Sequence, residues 1–151
     1  MIPFRLHPPA PRLREGYRLL ESPELAADDL NRLLGVCGEA RRSDACWQLV
    51  LQRSTWHVAV FGADDRLVGF VRVTSDMALN ANLWDLCADP GDPAQAEIYG
   101  ALVGSVLTRL RRDLGGCSIS LAAPADALEA LALCGFVIDP GGIRAMGLTL
   151  E

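Results

Sequence analysis

The chain has 151 residues, 50% hydrophobic and 22% charged, which fits one domain with its own core and excludes a disordered chain. Its net charge of −5 argues against nucleic acid or an anionic membrane as the main partner. No apolar run approaches the ~18 residues of a membrane span. The first residues show no apolar h-region, so no secretory signal is expected and the chain is placed in the cytoplasm.

Residues 1–15 carry four prolines and three arginines and read as an extended arm before a single domain over 16–151, because proline fixes φ and lacks an N–H. Gly16 to Glu21 predicts a strand. Ser22-Pro23-Glu24 reads as a helix start, with Ser at the cap and Pro in the first turn. That helix, apolar at Leu25, Leu30, Leu33 and Leu34, ends near Gly35 or Gly38. A second helix spans Asp44 to Arg53. Trp56 to Phe61 and Leu67 to Thr74 are rich in β-branched and aromatic residues and predict a hairpin around Gly62. Asn82 to Ala88 is a further strand, stopped by Asp89-Pro90-Gly91-Asp92-Pro93. Helical spacing returns from Ala94 to Arg112. Cys117 to Leu121 predicts a strand, Pro124 to Cys134 a helix, and Phe136 to Asp139 and Ile143 to Leu150 two last strands. The expected fold class is α/β, in the order β-α-α-β-β-β-α-β-α-β-β, with antiparallel and parallel strands in one sheet.

All fourteen basic residues are arginines, as a codon bias would give. No lysine is available as a Schiff-base former, phosphate anchor or acetyl acceptor. The five cysteines form no C-x-x-C pair, and four stand in apolar surroundings. They read as reduced, packed thiols. Two histidines without ligand spacing exclude an expected metal site.

The run Leu83-Trp84-Asp85-Leu86-Cys87-Ala88-Asp89-Pro90 before the helix at Ala94 resembles the GNAT superfamily of acetyl-CoA-dependent N-acetyltransferases. Gly69 to Asp76, Asn80-Ala81, and Phe136 to Pro140 with Gly142-Ile143 resemble its plastid and cyanobacterial branch, whose members acetylate arylalkylamines or protein amino groups. The resemblance implies acetyl-CoA as co-substrate and a primary amine as acceptor, either a small molecule or a protein amino group. Whether the chain also forms a homodimer stays open.

The resemblance further implies that two splayed strands hold the pantetheine arm by backbone hydrogen bonds, here along Leu86, Cys87 and Ala88. The diphosphate would sit on the next helix's amino end, where free N–H groups and the helix dipole favour an anion. Its family pattern falls on Gln95, Ala96, Glu97, Ile98, Tyr99 and Gly100. Gln95 and Gly100 match. Ile98 replaces a glycine and is expected to crowd the phosphate. Glu97, Asp89 and Asp92 add negative charge, and no basic residue lies between Arg72 and Arg109 to offset it.

Asp85 matches the family position for a base that deprotonates the amine. It lies in an apolar strand, which disfavours the charged form of a buried carboxylate. It reads equally as a strand carboxylate satisfied by a neighbour. Asp76 and Asn80 would orient the amine, and Trp84 reads as core. The family's acid, a tyrosine, falls on Leu131, leaving Cys134 and Tyr99 as nearby proton donors. The competing reading is a non-catalytic GNAT-fold binding or assembly module that has lost acetyl-CoA. A ligand sensor is a third.

Overall fold

The computed structural model describes residues 12–142. Their order is β1 (Arg18–Glu21), α1 (Ala27–Val36), α2 (Asp44–Arg53), β2 (Trp56–Phe61), β3 (Leu67–Ser75), β4 (Asn80–Ala88), α3 (Gln95–Asp113), β5 (Ser118–Leu121) and α4 (Leu128–Leu133). The predicted α/β class and the mixed sheet are present. The strands lie in sequence order, antiparallel from β1 to β4 and parallel between β4 and β5.

Side chains alternate across the sheet, and both faces are covered, so the strands are apolar on both sides. On β2, Trp56, Val58 and Val60 face the cluster that includes Ile98, Leu102, Val106 and Leu110 of α3. Ala59 faces the opposite cluster with Leu30, Leu33, Leu34, Trp47 and Phe70. The α3 helix sits close to the sheet because Gly69 leaves room: a Cβ there would lie 2.4 Å from Ile98 Cγ2. The α1–α2 connection is pinned by Asn31, which is 7% exposed. Its amide donates to the Arg42 carbonyl, and its Oδ1 accepts from Arg42 N–H and Trp47 Nε1–H. Among the described residues no helix is long and apolar enough to cross a membrane.

Three predicted elements differ. The helix expected from Pro124 opens as a 3₁₀ turn over Ala125–Ala127 before α4. The helix expected at Ser22 starts at Ala27, because Ser22 adopts φ 47° and gives its N–H to the His57 carbonyl. Pairing with β2 therefore overrides the local cap signal. Phe136–Asp139 is not a strand, and Val137 and Ile138 are exposed. That run finds no partner strand among the described residues, and a β-rich sequence alone does not hold a strand. The strand expected at Ile143–Leu150 and most of the arm lie outside the described residues.

Candidate functional site

The parallel pairing of β4 with β5 runs from Asn80–Ser118 to Leu83–Leu121 and stops. Beyond it β4 continues to Ala88. It pairs there with β3 but not with β5. At the point of divergence β4 carries one extra residue. Trp84 faces Arg72 and Cys87 faces Phe70, so three steps on β4 oppose two on β3. Asp85 lies in this bulge with φ 53°, a left-handed conformation that Asp and Asn tolerate better than most residues. A bulge re-aims side chains and ends pairing. Both happen here.

The gap is a cavity of about 320 Å³ lined by Leu34, Val36, Cys37, Glu39, Asp85, Leu86, Cys87, Pro90, Tyr99, Pro124, Ala125 and Asp126. Three of these are carboxylates and none is basic. Asp85 Oδ2 accepts from Arg72 Nε at 2.5 Å, and Asp85 Oδ1 lies 4.0 Å from Arg42 Nη2. The apolar surroundings expected of Asp85 are thus replaced by ion pairing, which fixes the carboxylate's direction. Trp84, expected in the core, is exposed. Its Nε1–H donates to Thr74 Oγ1, and the Arg72 guanidinium lies over its ring.

Tyr99 carries the only hydroxyl among the cavity's lining residues. Burial pushes that hydroxyl up to about 12, partly offset by the Ala88 N–H that it accepts. It therefore stays protonated through neutral pH. Leu131, where the resemblance expects a tyrosine, is core. Cys134 caps α4 and packs against that core, and burial raises its thiol.

Two thiols meet at the cavity wall. Cys37, just past the end of α1, points at the Ala88 carbonyl, with Sγ 3.5 Å from the oxygen. The neighbouring Cys87 lowers the Cys37 thiol, and Cys37 together with burial raises that of Cys87.

At the amino end of α3 the expected crowding is absent. The Ile98 side chain is 0% exposed and packs onto Gly69, away from the helix end. The expected lack of a cation is also corrected. Arg14 reaches Glu97 at 2.5 Å and the Pro93 carbonyl at 3.2 Å, and this pair lowers the Glu97 carboxyl. Tyr17 donates to Asp92, whose other contact is the Ala94 N–H, and Arg66 stands 3.7 Å from Asp89. The exposed Ala96 and neighbouring Glu97 follow in the first turn, where N–H groups have no helical partner. Gln95 turns to the Ala88 carbonyl and to Asp126. Gly100 is buried within α3.

Asp76 and Asn80 are not at the cavity. Asp76 Oδ1 accepts the N–H groups of Ala78, Leu79 and Asn80, which closes the β3–β4 turn and lowers its carboxyl. Asn80 pairs with Ser118 at the closed end of the sheet. Asp76 thus orders its own loop. Glu39, Asp126, Cys37 and Arg14 were missed because each reaches the site from a segment distant in sequence. Only the helix start expected at Pro124 fell near one of them, Asp126.

No family model matches the chain. It is 40% identical over 81 residues to the histone acetyltransferase TAP1 of Glycine max, covering 54% of this chain and 34% of that protein. The chain therefore spans about a third of the length of TAP1 and of its Glycine max neighbour TAP2. It is 33% identical to a chloroplastic GCN5-related N-acetyltransferase of Arabidopsis thaliana, covering 87% of this chain and 66% of the other. With the uncharacterised N-acetyltransferase ycf52 of Porphyra purpurea it shares 30% identity over 78% of its own length and 68% of the relative's. Among solved structures, a Staphylococcus aureus protein of unknown function matches with TM-score 0.76 and 18% identity, covering 89% of this chain and 99% of that one. A GNAT family protein from Streptococcus pneumoniae matches with TM-score 0.63 and 16% identity, covering 89% and 98%. These two show a shared fold.

Proposed function

Because the chain belongs to the GNAT superfamily of N-acetyltransferases, close to its plastid branch, we propose that it moves an acetyl group from acetyl-CoA to a primary amine. The acceptor is an arylalkylamine or a protein amino group. One observation carries the reading: the cavity opened by the β4 bulge is walled by Glu39, Asp85 and Asp126 and by no basic side chain. Arg42 and Arg72 behind the wall offset Glu39 and Asp85, and the charge of Asp126, which meets the neutral Gln95 amide, still favours an acceptor that arrives as an ammonium ion.

The residues present fit acetyl-CoA. The edge of β4 from Trp84 to Ala88 is not paired by β5, so its backbone can hold the pantetheine arm. The amino end of α3 offers first-turn N–H groups to the diphosphate, with Arg14 neutralising Glu97. When bound, acetyl-CoA supplies the thioester carbonyl that the amine attacks. Asp85, aimed by Arg72, receives the proton that the amine gives up, and Tyr99 keeps a proton at the cavity wall for the leaving thiolate. The chain works in the cytoplasm or a comparable reducing compartment, as its scattered cysteines with no C-x-x-C pair suggest. The Arabidopsis relatives are named as chloroplastic.

A second reading, the non-catalytic module, is favoured by Leu131 at the expected acid position and by the Ala88 carbonyl, already taken by Cys37 and Gln95. Calorimetric titration with acetyl-CoA, followed by mass analysis of serotonin and of a short peptide with a free amino terminus, separates the two. Binding with acetylation of either acceptor is expected. Absence of binding would favour the module.

A further inference from the structure

We propose that Cys37 and Cys87 form a thiol-modification site inside the cleft, one that exchanges with small-molecule disulfides and closes to an internal disulfide between α1 and β4. Both line the same cavity, and Cys37 is partly open to it while Cys87 is 5% exposed. They are 50 positions apart in sequence, yet Cys37 Sγ lies 3.5 Å from the carbonyl of the residue after Cys87, and Cys37 packs against the apolar cluster that holds Cys87. Asn31 fixes the α1–α2 connection, so this approach is built into the fold.

The two thiols have different roles. Cys37 is partly open to the cavity and its thiol is lowered by the Cys87 beside it, whereas Cys37 and burial raise the thiol of enclosed Cys87. The accessible, more acidic thiol attacks first, and the buried one resolves. The Cys37 thiolate attacks one sulfur of oxidised glutathione. The glutathione S–S bond breaks, and one glutathione leaves as its thiolate. Cys87, losing its proton to solvent, then attacks the Cys37 sulfur of the mixed disulfide and expels the second glutathione. In sum, two protein thiols are oxidised to one disulfide, and one glutathione disulfide is reduced to two thiols. The product would tie the end of α1 to the free half of β4 and remove both thiols from the wall.

The test uses the reduced full chain and oxidised glutathione, read by intact mass and peptide mapping. The Cys46→Ser background removes the one exposed thiol. The expected result is loss of two hydrogens, mapped to a Cys37–Cys87 bond. In the same background Cys87→Ala should keep one glutathione on Cys37, and Cys37→Ala should leave Cys87 unmodified. Cys37→Ser serves in its place if the alanine variant unfolds. A disulfide to Cys117 or Cys134, or a stable glutathione adduct on wild-type Cys37, would overturn the proposal.

Discussion

The two halves of β4 have the same neighbour on one side and different fates on the other. From Asn80 to Leu83 the strand is paired with both β3 and β5; from Trp84 to Ala88 it is paired with β3 alone. The paired half carries Asn80, a structural residue of the turn region, and the half without β5 carries Asp85, Leu86 and Cys87 of the cavity wall. A one-residue bulge separates them. The comparison teaches that the site is made by ending a ladder, and that the helices behind it must supply the rigidity that β5 withdraws.

The largest effect is expected where that support is removed. Ile98 seats α3 on Gly69 behind the free half. Ile98→Gly should destabilise the fold by about 3–6 kcal/mol, combining loss of a buried side chain with glycine in a helix. Denaturant unfolding measures it. A near-neutral result would mean that Ile98 faces the helix end after all.

Next comes the bulge itself. Asp85→Asn keeps the left-handed backbone but loses the proton acceptor. Acetylation should fall by roughly 10²-fold near neutral pH, with the defect shrinking at high pH, where free amine is abundant. An unchanged pH–rate profile would remove Asp85 from the chemistry. Asp85→Ala should in addition be less stable than Asp85→Asn by about 1 kcal/mol, because alanine tolerates positive φ poorly.

A comparable effect is expected from Tyr99 at high pH. Its hydroxyl is raised to about 12 in the folded chain, while an unfolded tyrosine titrates near ~10. The folded chain thus keeps a proton that the unfolded chain releases. Stability is full below pH ~10 and declines towards pH ~12, by about 2–3 kcal/mol from this group. Tyr17, raised by its bond to Asp92, adds to the wild-type slope, so the comparison is with Tyr99→Phe. That variant should show a shallower alkaline loss; equal slopes would place the hydroxyl in solvent.

The smallest effect concerns the far end of the cleft. Arg14→Ala leaves Glu97 without its partner at the start of α3. Acetyl-CoA affinity should weaken about two- to fivefold at low salt, the scale of an exposed pair, and the difference should fade at high salt. Calorimetry at two ionic strengths reads it. A salt-independent loss would point to Arg14 as a direct hydrogen-bond donor to the ligand.

The elements were legible where burial reinforces local preference. Trp56 to Phe61 and Leu67 to Thr74 are β-rich and largely buried, and both form, the second extending to Ser75. Legibility failed where pairing decides. Ser22-Pro23-Glu24 has a helix-start pattern but lends its backbone to β2, and Phe136 to Asp139 has a strand composition but no partner strand among the described residues. For the site, Asp85 was found through a resemblance in sequence, and nothing in its local spacing announces the bulge. Ile98 was misjudged because a motif gives a position along a helix without saying which way the side chain turns. Arg14 with Glu97, and Cys37 with Cys87, lie 83 and 50 positions apart; only the folded chain introduces them.

The left-handed turn at Asp85 also limits how this protein can change. A replacement there passes two filters, one set by the backbone and one by the cavity. The backbone admits glycine, asparagine and aspartate with little strain. Of these three, aspartate alone offers a carboxylate that can accept the amine's proton and answer Arg72 with a full charge. The usual drift from aspartate to glutamate is closed to this site, since glutamate gains nothing from the left-handed well and would carry its carboxylate one methylene too far. The route to a different acceptor therefore runs through Glu39 and Asp126, which stand on ordinary, exposed backbone and are free to vary.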